Sequence, residues 1–156
     1  MHNSDSHKIE RLISNTKTHI HQEAYRLKTP ASPHYSAEID GVNIDLESIK
    51  TPDTNNNLIV EGAGGLMVPL NRNDLIIDLI EKLQLPVILV SKNYLGSINH
   101  TLLSIAMLQS RNIEIKGIIF NGKKTPSTEE IILHFSKIPC LGLSLIHISE
   151  PTRHAS

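Results

Sequence analysis

With a single cysteine among its 156 residues, Cys140, the chain cannot form an internal disulfide, and with no His or Asp at a telling spacing that thiol reads as buried and structural. Charge of one sign is also missing: 15 basic and 16 acidic residues nearly cancel. No Lys/Arg cluster interleaved with aromatics occurs, so a nucleic-acid surface has no electrostatic footprint. Long apolar runs are absent too, none approaching the roughly 20 residues of a membrane span. The polar start MHNSDSHKIE lacks the apolar core of a secretion signal, and the expected location is the cytoplasm. Nine histidines are scattered along the chain. His19 and His21 could share a face of an extended segment, but without a third ligand nearby they read as ordinary surface residues.

What is present fits one soluble domain, given the length and a hydrophobic content of 39%. SDSHKIERLISN places Ser4 or Asp5 as an N-cap before Ile9, Leu12 and Ile13 at helical spacing. In YRLKTPASPHYSAE, Pro30 and Pro33 forbid a continuing helix and predict an ordered loop. GVNIDLESIKTPDTNNN reads as a turn-rich connection.

From Leu58 the pattern becomes regular. NLIVE, LPVILVSK and IKGIIFNG predict buried strands, separated by DLIIDLIEKLQ and SINHTLLSIAMLQSRN as helices. STEEIILHFSK predicts a further helix, with Ser127 as its cap and Glu129 and Glu130 in the first turn, where the dipole favours acids. Continuous apolar strands alternating with helices predict an α/β fold, a parallel sheet with helices on both faces.

Ligands of such sheets gather beyond the carboxyl ends of the strands, here Glu61 with Gly62 to Gly65, Ser91 to Gly96, and Asn121 with Gly122. A carboxylate ending a buried strand needs a compensating partner, and a Mg²⁺ ion carried by a nucleotide is one, with the glycines admitting close backbone approach. Gly96 ahead of Ser97 marks a helix start that could hold a carboxylate or phosphate, or where Ser97 simply caps its own helix. Asn121 offers an amide suited to a purine edge, or belongs to an ordinary Asn-Gly loop.

Taken in order, NSD at 3–5, YRLKTPASPH at 25–34, VEGAGGLMVPL at 60–70, PVILVSKNYLGSINHT at 86–101 and GIIFNG at 117–122 resemble the dethiobiotin synthetase family. The resemblance covers about residues 2–142 and implies a P-loop NTPase-like fold. It implies Mg²⁺ ligation by Asp5 and Glu61, a phosphate-side loop at Gly62, Gly64 and Gly65, and contact of Asn121 with the base of ATP. It further implies a substrate pocket lined around Pro30, and a helix start at Gly96, Ser97, Ile98 and Asn99 that holds the carboxylate tail of diaminopelargonic acid across a homodimer interface. In the implied reaction an amine takes up CO₂ as a carbamate, ATP phosphorylates it, and the second amine closes the ring.

Two departures stand out against the family pattern. The family's phosphate loop and its Lys-Pro strand, with their lysines, do not occur, since the one Gly-Lys pair, Gly122-Lys123, is followed by Lys124 after a late strand. Residues 1–142 are therefore expected to be a partial domain, with the apolar flanks of the remaining strands poorly covered and no turnover of ATP. LSLIHISEPTRHAS departs from the family ending and resembles translated sequencing-adapter DNA, so 143–156 is expected to be a non-native tail. A non-catalytic, dimerising module for a small carboxylate is the alternative of another class. A related amide-forming synthetase is a third reading, against which SINHT argues.

Overall fold

The computed structural model describes residues 5–144, which form two compact units that divide between Leu79 and Ile80. In the first unit, α1 (Asp5–Leu12) has the predicted helical period; Ser4 lies outside the described residues, and Asp5 is already helical. Ile9 and Leu12 remain exposed. The expected loop at Pro33 is corrected: α2 (Pro33–Asp40) begins there, because a proline at the first helical position lacks only an N–H that has no helical partner anyway. Gly41 then closes α2 with a left-handed cap. A short 3₁₀ turn, Leu46–Ser48, occupies the predicted turn-rich connection.

Asp40 orders the segment ahead of its own helix. Its carboxylate accepts from the Lys28 and Thr29 N–H groups and from Thr29 Oγ1 at 2.8 Å, while Ser36 Oγ donates to the Thr29 carbonyl at 2.6 Å. The Lys28 N–H, then the Thr29 hydroxyl, hold the Asp40 carboxyl below its ordinary pKa of 3.8.

The largest correction concerns NLIVE. Leu58–Glu61 is not a strand, and Ile59 and Val60 are exposed at 93% and 47%. A strand needs a ladder partner for its N–H and C=O groups, and the run has none among the described residues. The chain beyond it is well tied: the Leu66, Val68 and Asp74 carbonyls accept from Ile77, Ile76 and Leu70, and an isolated antiparallel bridge joins Pro69 to Leu75. These bonds lead into α3 (Ile76–Leu83), whose first turn is capped by Asp78 accepting from the Leu75 N–H at 2.7 Å.

The second unit contains β1 (Val87–Lys92), α4 (Ser97–Ser110), β2 (Ile115–Asn121), α5 (Pro126–Ser136) and β3 (Cys140–Ser144). The strands form a parallel sheet in the order β1-β2-β3. Right-handed crossovers in such a sequential sheet bring successive helices to the same face, and α4 packs against α5. Ile105 and Ile132 of these helices enclose Ile118 and Phe120 of β2, with Leu89 against them. Ile88 and Val90, which alternate to the other side of β1, are exposed at 51% and 56%, as expected for poorly covered flanks.

Three details differ from expectation. β3 was not predicted; it spans Cys140–Ser144. Cys140 is exposed rather than buried, at the first residue of β3, which pairs with β2 alone among the described residues. Thr125, not Ser127, stands at the N-cap position of α5, without a side-chain cap bond, since Pro126 takes the first helical position.

Two outcomes are expected. A Cβ at Gly117 would lie 2.4 Å from Leu141 Cγ on β3, so Gly117→Ala should destabilise the chain by about 1–3 kcal/mol in urea titration. Adding Leu141→Ala should recover at least half of that loss. Because the Asp40 carboxyl is depressed in the fold, its contribution is present above pH 3.8 and lost as the pH falls through the lower folded value. The Lys28 amide NMR shift should therefore titrate below pH 3.8, and Asp40→Asn should abolish that titration.

Candidate functional site

In the first unit, the glycine stretch and the proline-bearing segment meet. A cavity of about 540 Å³ is lined by Tyr25, Thr29, Ser32, Ser36, Ala63, Gly64 and their neighbours. Tyr25 is fixed there through its hydroxyl, which accepts from the Asp45 N–H at 3.0 Å and lies 2.6 Å from Ser48 Oγ. Pro30 itself is exposed, but Thr29 and Ala31 on either side of it line the cavity. Gly62, Gly64 and Gly65 are exposed in the loop, with Gly64 at φ +81°.

Glu61 is brought to the head of this loop but not to a strand end. It is exposed, so the desolvation argument for a compensating cation does not hold at this residue. Asp5 opens α1, and its side chain lies outside the described part of the structure. No cluster of three or more His, Cys, Asp or Glu able to hold a metal occurs among the described residues. Mg²⁺ ordinarily keeps several waters and binds through one or two carboxylates plus phosphate oxygens, and an exposed Glu61 fits that role. His19 and His21 are exposed with their rings edge to face, centroids 4.5 Å apart.

In the second unit, the carboxyl ends of the strands carry the remaining residues. Gly96 is the N-cap of α4 at φ +101°, a conformation L side chains rarely adopt. Ser97 follows as the first helical residue and makes no cap bond; its N–H donates to the Tyr94 carbonyl at 3.0 Å. The self-capping reading of Ser97 is thus excluded. Its Oγ is buried with no partner among the described residues. The N–H groups of Ile98 and Asn99 fall in the first turn, where no intrahelical acceptor exists. Beside them a cavity of about 230 Å³ is lined by Ser91, Lys92, Tyr94, Ser97, His100 and Thr101, among others. Ser91 Oγ and Thr101 Oγ1 lie 2.7 Å apart in its buried wall, and the Tyr94 hydroxyl pairs with His100 Nδ1.

Asn121 ends β2 at 8% exposure, and its Oδ1 is buried without a partner among the described residues. An orphaned acceptor of this kind costs about 1–3 kcal/mol, and a donor on a bound base would offset it. The residues present therefore fit the amino edge of a nucleotide base.

Sequence reasoning missed Asp40, Tyr25 and Asn93. Their partners lie 11 to 36 residues away, beyond the reach of any local spacing rule. Glu129 was read only as a first-turn acid, yet it also accepts from the Thr125 N–H at 2.7 Å. The Thr-Pro-Ser-Thr-Glu run, close to a capping-box pattern, was the available signal.

A family profile described as an AAA domain, a P-loop NTPase type of fold, matches residues 1–144. The ATP-dependent dethiobiotin synthetase BioD of Christiangramia forsetii is 53% identical over 142 residues, covering 91% of this chain and 68% of the relative. That of Cytophaga hutchinsonii is 53% identical over 131 residues, covering 83% and 64%, and that of Bradyrhizobium diazoefficiens 50% over 139, covering 88% and 66%. The chain thus spans 64–68% of the length of these relatives. With matched residues running through the glycine loop, the start of α4 and the end of β2, the chain belongs to the ATP-dependent dethiobiotin synthetase family.

Proposed function

We propose that this chain forms part of an ATP- and Mg²⁺-dependent ligase of biotin biosynthesis that joins CO₂ to 7,8-diaminopelargonic acid and closes the ring of dethiobiotin. The observation that carries the reading is 53% identity over 91% of the chain to a protein named an ATP-dependent dethiobiotin synthetase.

The geometry supports a role for each group. The first turn of α4 suits the substrate's carboxylate tail, because the Ile98 and Asn99 N–H groups, the positive end of the dipole and the unpartnered Ser97 Oγ all favour an anion. Asn121 Oδ1 suits the amino group of adenine. The glycine loop, Gly62, Gly64 and Gly65, suits close approach of phosphate, the exposed Glu61 suits Mg²⁺, and Asp5 joins it on the family resemblance alone. When bound, MgATP supplies the activated phosphoryl group; the protein supplies positioning and charge neutralisation. The segment around Pro30 suits the substrate pocket, in keeping with the cavity that its neighbours line.

A homodimer is the proposed assembly. Leu95, Ile98 and Leu103, exposed at 102%, 38% and 60%, give the start and flank of α4 an apolar surface suited to a second copy. No helix among the described residues is long and apolar enough to cross a membrane, which is compatible with the cytoplasmic location we propose. The absence of a Gly-Lys-Ser/Thr phosphate loop from these 156 residues favours, for this stretch taken alone, substrate binding without turnover.

Calorimetry should detect 7,8-diaminopelargonate bound to the 156-residue chain. Ser97→Ala should weaken it about tenfold, the loss of one hydrogen bond to a charged group. Equal affinity for the variant would remove α4 from the substrate site. Supplied with MgATP and bicarbonate, the same chain should yield no dethiobiotin, and turnover at an ordinary rate would show that it needs no phosphate loop of its own.

A further inference from the structure

Asn93 follows β1 and binds the chain beyond β2 at several points. Its backbone N–H donates to the Asn121 carbonyl at 3.3 Å. Its side-chain Nδ2 donates to the Lys123 carbonyl at 3.1 Å and to Glu129 Oε1 at 2.8 Å. The same Glu129 oxygen accepts from the Thr125 N–H at 2.7 Å. Glu129 sits in the first turn of α5, where the dipole stabilises its charge and both hydrogen bonds are charge-assisted.

This arrangement fixes which way the Asn93 amide points. Both neighbours of Nδ2 are acceptors, so a flipped amide would set oxygen against oxygen. Oδ1 is thereby held as an acceptor, and it is buried with no partner among the described residues. Asn121 Oδ1 is in the same condition at the adjoining strand end, since Lys92 pairs with Asn121 in the register. Two buried, unmet acceptors at the carboxyl ends of neighbouring strands match a ligand group that donates two hydrogens. The exocyclic amino group of adenine is such a donor, whereas an oxo purine presents an oxygen at that position.

We infer that Asn93 is a second base-reading residue beside Asn121, oriented by Glu129, and that the two together select an amino purine over an oxo purine. The inference rests on the nucleotide reading of Asn121 given above. It is tested with adenosine and inosine, which differ in the 6-amino or 6-oxo group and, with it, in whether N1 accepts or donates, titrated into the 156-residue chain and followed by amide NMR shifts.

Adenosine should bind about tenfold more tightly than inosine, and Asn93→Ala should reduce that ratio to about twofold or less. Glu129→Ala, which removes the acceptor that holds Asn93 Nδ2, should lower the ratio as well, whereas Glu129→Gln keeps an oxygen for Asn93 Nδ2 and the Thr125 N–H and should retain most of it. An unchanged ratio in Asn93→Ala, with Asn121→Ala still weakening adenosine, overturns the role of Asn93 and leaves the nucleotide reading intact. An unchanged ratio in Glu129→Ala overturns the orienting role of Glu129. If the unaltered chain binds neither nucleoside, both the inference and the nucleotide reading fall.

Discussion

The pairing of β2 on both of its edges is the constraint on which the second unit depends. Parallel strands cannot be joined by tight turns, so α4 and α5 are obligatory crossovers, and each strand must point its carboxyl end the same way. Asn93, Gly96 and Asn121 gather at one edge because the ladder sends them there. The burial of Ile118 and Phe120 under Ile105 and Ile132 stabilises that ladder and fixes its faces.

At this edge the fold leaves polar atoms unmet. Asn93 Oδ1, Asn121 Oδ1 and Ser97 Oγ are buried without partners among the described residues, each costing about 1–3 kcal/mol. Nearby side chains are by contrast well satisfied: Ser91 meets Thr101, and Glu129 meets both Asn93 and Thr125. Unmet groups beside fully connected ones are where a ligand's donors and acceptors would gain most.

The first unit is organised differently, with little regular structure around its cavity. Order comes instead from side chains that satisfy backbone groups: Asp40 on Lys28 and Thr29, Tyr25 on Asp45, and Asn71 on Ile44 and on the turn at Asp74. Such loops owe their shape to a few anchors, so a change at one anchor moves several lining residues together.

Much was legible in the residues alone. The apolar runs at Val87–Lys92 and Ile115–Asn121, and the helical periods between and after them, follow from local pattern, and they set the parallel α/β class. The glycine at 96 and the start of α4 were equally plain, because each depends on neighbours within a few positions. Tertiary structure alone decided the rest. LIVE found no ladder partner among the described residues, Cys140 came out exposed on an edge strand, and Glu61 came to rest in solvent. The clamp from Asn93 to Glu129 spans 36 residues, and whether an amide oxygen ends buried and unmet depends on what the folded chain packs around it. Periodicity reports which side of an element is apolar; only packing determines what meets it.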